Sequence, residues 1–61
     1  MDVKVFTASG RLYEFTDVFS ESYLNSGTVF SIMRRDEDGS LLRKDFPINM
    51  IESIEVQSIE V

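Results

Sequence analysis

The chain has 61 residues with no cysteine and no histidine, and its 11 acidic against 6 basic residues give a formal charge of −5. That length allows one domain near the lower limit for a single apolar core, and the composition excludes a disulfide framework and catalysis by an activated thiol or imidazole. The acidic balance, with a pI near 4.4, opposes nonspecific attraction to DNA, RNA or anionic lipid.

A hydrophobic fraction of 43%, with five Phe and two Tyr, exceeds what a disordered segment carries, so an ordered domain held by packing or by a copy of itself is expected. Residues 1–6 enter a strand-like alternation at once, without a basic n-region or an apolar h-region. No window is long enough to span a bilayer, and the expectation is a cytoplasmic protein with no membrane partner.

The first hairpin is registered by asking which loop length collects apolar side chains on one face. A two-residue loop at Ser9-Gly10 opposes Val5 to Glu14 and mixes the faces. A three-residue loop, Ala8-Ser9-Gly10, opposes Val5 to Tyr13 and Val3 to Phe15, with Lys4 to Glu14 and Phe6 to Leu12 on the other side. It also puts Gly10 at the left-handed position of a type I turn with a G1 bulge. Phe6 and Leu12 then need cover from elsewhere.

The stretch 17–27 admits two readings. Asp17 can cap a short helix carrying Phe19 and Tyr23 at i and i+4, which Asn25-Ser26-Gly27 would stop. Val18, Phe19 and Tyr23 also have high strand propensity and can continue the second strand through a bend. The expectation is a short helical turn around 18–25, with Phe19, Tyr23 and Leu24 over one open end of the sheet.

The second hairpin repeats the first, with strands at 29–35 and 40–46 and a three-residue loop Glu37-Asp38-Gly39. This register opposes Phe30 to Phe46 and Arg34 to Leu42, and keeps Phe30, Ile32, Leu42 and Phe46 on one face. Lys44 shares that face and is tolerable only near a rim, its stem packed and its ammonium in water. Pro47 ends this strand, a short apolar turn follows, and Ile54 and Val56 alternate with Glu55 in a last strand. Placed between the first and fourth strands, that segment closes a small barrel.

Ser53-Ile54-Glu55-Val56 recurs as Ser58-Ile59-Glu60-Val61. The offset of five is odd, so in an unbroken strand Ile59 and Val61 point away from the face of Ile54 and Val56. Either a bulge near Gln57-Ser58 restores the phase or the second copy serves another surface. Ile59 and Val61, joined by Phe6 and Leu12, are therefore the candidate self-association interface.

Val3-Lys4-Val5-Phe6-Thr7, Gly10 and Tyr13-Glu14-Phe15, followed by Asp45-Phe46-Pro47 and the Ile51-Glu52, Ile54-Glu55-Val56 pattern, resemble small open reading frames of bacteria and their phages. The order of elements is similar to Sm-like and SH3-like barrels. The resemblance implies a small barrel encoded by a phage or prophage. Glu14 stands where the Sm pattern has a second glycine and no Asp and Asn pair follows in context, so RNA binding is not implied.

Four of the six basic residues, Arg34, Arg35, Arg43 and Lys44, fall on the second hairpin, a candidate phosphate-contacting patch. Asp36, Glu37, Asp38 and Asp45 lie among them, and cross-strand ion pairs on a solvated hairpin explain the same residues. Asp36-Glu37-Asp38-Gly39 opens like a calcium loop, but Pro47 stands where the bidentate glutamate belongs. Glu14, Asp17 and Glu21 have no spacing that separates an acid and base pair from surface carboxylates. No metal or cofactor is implied.

The sequence thus reads as a single all-β domain over 1–61: a five-stranded antiparallel small barrel or coiled sheet in SH3/Sm-like order, with one short helical turn. The expected function is noncatalytic, a small protein-binding or self-associating module forming a homodimer or higher oligomer. The alternative is a nucleic-acid-binding barrel or an acidic nucleic-acid mimic, and an enzyme is the least supported class.

Overall fold

Alternation of Val3, Val5 and Thr7 with Lys4 and Phe6 makes the first segment a strand with one buried face, and the rest of the chain is arranged around it. A computed structural model describes residues 1–58. Its elements are β1 (Asp2–Thr7), β2 (Leu12–Phe15), β3 (Val18–Leu24), β4 (Val29–Arg35), β5 (Leu41–Pro47), a 3-10 turn (Ile48–Met50) and β6 (Ile51–Gln57). They form two antiparallel three-stranded sheets, ordered β2-β1-β6 and β3-β4-β5. The five-stranded barrel or coiled sheet expected from the sequence is therefore corrected to six strands in two sheets. The last strand pairs with β1 as expected but not with the strand over 40–46, here β5, because β5 belongs with β3 and β4 to a separate sheet; among the described residues no barrel closes.

Both tight hairpins have the expected registers. Val3 opposes Phe15 and Val5 opposes Tyr13, and in the second hairpin Phe30 opposes Phe46 and Arg34 opposes Leu42. The loops close at Thr7 N–H to Arg11 O and Asp36 N–H to Ser40 O, each 2.9 Å. Gly10 and Gly39 both lie at φ +86°, where a Cβ is disfavoured.

The helical turn expected around 18–25 is a strand. β4 is buried along Phe30-Ser31-Ile32 and needs a partner on each edge, and β3 supplies one from Val18 to Leu24. Asp17 caps no helix: it sits at φ +56° in the break between β2 and β3. Past that break Val18 exchanges hydrogen bonds with Met1, 2.9 and 3.0 Å, which ties the two sheets together. Asn25 and Ser26, at φ +50° and +58°, turn the chain into β4 with Gly27 N–H bonded to Leu24 O, the positive-φ pattern of a hairpin turn. A bulge at Phe19 leaves that ring half exposed beneath the Arg35 guanidinium, 5.7 Å from its centroid, and Tyr23 packs on Phe30 with centroids 5.3 Å apart.

Valines 3 and 5 from the first sheet meet Val18, Phe30, Ile32 and Phe46 from the second, with Met1, Tyr13, Phe15, Ile48, Ile51 and Ile54 packed around them. An irregularity interrupts the β1–β6 ladder where Phe6 opposes Ser53 while Thr7 opposes Ile51, so Glu52 is the extra residue. It keeps Ile51 and Ile54, three apart, on the same core face. The phase of the second tetrapeptide, and with it the bulge considered near Gln57-Ser58, lies outside the described residues. Leu42 shares the core-facing side of β5 but remains 42% exposed, since the packed region stops short of the hairpin tip.

Two outcomes follow from this packing. A Cβ built at Gly10 or Gly39 meets nothing within 4 Å, so alanine there costs only backbone strain, about 1 kcal/mol each. Urea midpoints should fall for both alanine variants and less for asparagine, which tolerates the left-handed region. Phe30 is fully buried, and Phe30→Ala should cost about 3 to 5 kcal/mol, comparable with the whole stability of about 3 to 9 kcal/mol expected for a chain of this length. Its amide spectrum should collapse; full dispersion would contradict this core.

Candidate functional site

One concavity, of about 410 Å³, opens between the tip of the first hairpin and the end of β5. Thr7, Ser9, Arg11 and Tyr13 line one wall, Lys44, Asp45, Phe46 and Pro47 the other, and Met50 of the 3-10 turn closes one end. The walls are fixed by backbone contacts that the loop sequences permit. Thr7 is buried, its Oγ1 accepting from Arg11 N–H (3.0 Å) and lying 2.9 Å from Ser9 Oγ. Ala8 N–H donates to Met50 O (2.9 Å), joining hairpin to turn, and Ile48 N–H donates to Thr28 O (2.8 Å), joining turn to the second sheet. Pro47 starts the turn at φ −59°, the angle its ring imposes.

Aromatic surface forms the floor. The Tyr13 ring meets Phe46 edge-on, centroids 5.3 Å apart and planes at 63°, and Phe15 meets Phe46 in the same manner at 6.0 Å. Lys44 is exposed, and its Nζ stands over the Phe46 ring, 5.7 Å from the centroid, a cation–π arrangement on the apolar face of β5.

The groove is locally positive on an acidic chain. Asp45 is already answered: it accepts from Arg43 Nε (2.9 Å) and Nη2 (2.8 Å) and from Ser31 Oγ (2.7 Å). Hydrogen bonding from Arg43 first, then Ser31, holds its carboxyl below the ordinary aspartate range, and the same contact raises the Arg43 guanidinium. For a depressed carboxylate the associated stabilisation is present above the unfolded pKa and is lost as the pH falls through the folded one. Arg11 and Lys44 make no ion pair among the described residues.

The wall along β5 is also a free sheet edge. Antiparallel ladders alternate, so bonds at the pairs 36/40 and 28/48 place the backbone groups of Leu42, Lys44 and Phe46 toward β4. Those of Arg43 and Asp45 point away from β4, free to pair with another strand. Pro47 has no N–H and ends the usable edge.

The four basic residues of the second hairpin do not form one patch. Arg34 and Lys44 share the face of Phe30 and Ile32, whereas Arg35 and Arg43 lie on the opposite face. Arg34 is half-buried and its Nε lacks a hydrogen-bond partner among the described residues. The cross-strand ion pairs expected on this hairpin are replaced by Arg43–Asp45, two residues apart on one strand; the cross-strand pair is Lys4–Glu14, 3.8 Å, on the first hairpin. Glu14, Asp17 and Glu21 do not converge: Glu14 faces Lys4, Asp17 is at the sheet break and Glu21 opposes Ile32. The Asp36 and Asp38 carboxylates are turned on their own loop, accepting from Glu37 and Ser40 N–H at 2.9 Å each. The Asp38 carboxyl is lowered by hydrogen bonding from the Ser40 side chain and then its backbone.

Of the candidate interface, Phe6 and Leu12 stand opposite each other on the outer face of the first sheet, Phe6 half-buried and Leu12 47% exposed. Ile59 and Val61 lie outside the described residues. The groove residues Arg11, Tyr13, Pro47 and Met50 were not singled out from the sequence as a site. Their signal was slight: a cation just after the turn glycine and a proline ending the facing strand. Comparison of the chain with protein-family models, curated proteins and solved structures finds no match.

Proposed function

We propose that this domain is a noncatalytic protein-binding module that takes an extended acidic segment into the groove between Arg11 and Lys44. The observation that carries the reading is the coincidence of three features along one line. These are an aromatic floor of Tyr13 over the buried Phe46, two cations with no ion pair among the described residues, and a sheet edge at Arg43 and Asp45 that no described strand covers. Strand addition to such an edge supplies backbone hydrogen bonds, and alternate side chains of the added segment fall on the floor. The cations select for carboxylates, because unpaired Arg and Lys beside a low-dielectric wall attract opposite charge and repel like charge. The site holds no constellation of nucleophile and base, and the binding reading needs none.

Two sheets meeting at a break at Asp17, with a 3-10 turn before the last strand, support reading the architecture as an open relative of the SH3-like and Sm-like arrangement. Phage or prophage origin and a cytoplasmic location are part of the proposal and rest on the sequence resemblance and composition alone. No helix among the described residues is long and apolar enough to cross a membrane. Aromatic rings beside cations also suit a stacked single strand, but phosphate binding meets the opposition of the −5 charge.

Titration of labelled protein with unstructured nine-residue peptides that are acidic, neutral or basic, and with a single-stranded oligonucleotide, tests the reading. Amide shifts should appear for the acidic peptide at Arg11, Tyr13 and residues 43–46, and Lys44→Glu should weaken binding about tenfold or more. Equal response to all three peptides, or a response only to the oligonucleotide, would overturn it.

A further inference from the structure

The unabsorbed feature of this chain is its repeated tetrapeptide. The first copy, Ser53-Ile54-Glu55-Val56, shows what these residues require. Added to β1, it sets Ile54 opposite Val5 and Val56 opposite Val3, and places Glu55 opposite Lys4. It uses a strand edge, an apolar floor and one cation.

The groove offers the same three things a second time: the free edge at Arg43 and Asp45, the floor of Tyr13 and Phe46, and the cations Arg11 and Lys44. We propose, resting on the groove as a site for acidic extended segments, that its occupant is the second copy, Ser58-Ile59-Glu60-Val61, from another molecule of this chain.

Reach and direction exclude the same molecule. β6 runs antiparallel to β1, so Gln57 pairs with Asp2 while Thr7, at the other end of β1, lines the groove. Those two ends are about 17 Å apart at a rise of about 3.4 Å per residue, and the chain leaves β6 heading away from the groove. Four residues beyond Gln57 extend about 14 Å at most. A tail in the groove therefore comes from a neighbour. Charge agrees with this pairing: the tail contributes Glu60 to a groove whose one carboxylate, Asp45, is neutralised by Arg43. Such a contact joins different surfaces of successive molecules, which gives a closed ring or an open chain rather than a two-fold dimer.

Sedimentation of the full chain from about 10 μM to about 1 mM, the range expected for a contact of a few residues, tests the inference. Mass should rise with concentration and fall back on adding salt. Glu60→Arg and Arg11→Glu should each weaken association about tenfold or more, and the double variant Arg11→Glu/Glu60→Arg should regain it. Glu60→Arg changes none of the residues whose pairing is described in the six strands.

A monomer across the whole range would overturn the tail as occupant, and so would association indifferent to Glu60→Arg or a double variant that stays apart. Peptide titration separates this from the broader reading. A monomeric chain that still binds the acidic nine-residue peptide at Arg11 and residues 43–46 removes the tail and leaves the groove.

Discussion

The structure depends on burying β1 against β4. With no disulfide in a chain of 61 residues, the free energy of folding rests on Val3 and Val5 meeting Phe30, Ile32 and Phe46. Each central strand then imposes a demand on its neighbours, because backbone groups withdrawn from water require partners. β1 recruits β2 and β6, and β4 recruits β3 and β5. Strands with little apolar content of their own are held by this demand rather than by propensity.

The groove is a by-product of the same arrangement. Both sheets end in edge strands, and where the first hairpin comes over the end of β5 the Tyr13 ring is only partly roofed, with the buried Phe46 ring beneath it. Rim positions on an apolar face are occupied by side chains with an apolar stem and a charged head, and Lys44 is one. Placing Arg43 beside Asp45 on the same strand neutralises the local carboxylate and leaves the groove positive.

The two glycine-ended loops and the resulting registers were legible in the residues alone. Side-chain alternation has a period of two, and a one-residue slip at Ala8-Ser9-Gly10 or Glu37-Asp38-Gly39 would have put Glu14 or Asp45 in the core. The requirement for positive φ then located Gly10 and Gly39. Lys44 was identified as a rim residue for the same reason: a charge on the face of Phe46 has nowhere else to go. Of the groove's lining, Lys44 was named from the sequence as part of a basic patch with Arg34, Arg35 and Arg43, which the register puts on two faces of the hairpin.

What the sequence by itself determined is local: hairpin registers, turn glycines, the apolar face shared by Phe30, Ile32 and Phe46, and the all-β class. The tertiary structure alone decided β3, because an edge strand buries little and its bulge at Phe19 shifts the phase, so 18–24 carries no readable alternation. It alone decided that β6 pairs with β1 and leaves the outer edge of β5 without a strand among the described residues, since β5 lies in the other sheet. It alone assembled the groove, which joins Arg11 and Tyr13 to residues more than thirty positions away. Contacts of that separation are set by how two sheets pack, and no periodicity within a single strand encodes them.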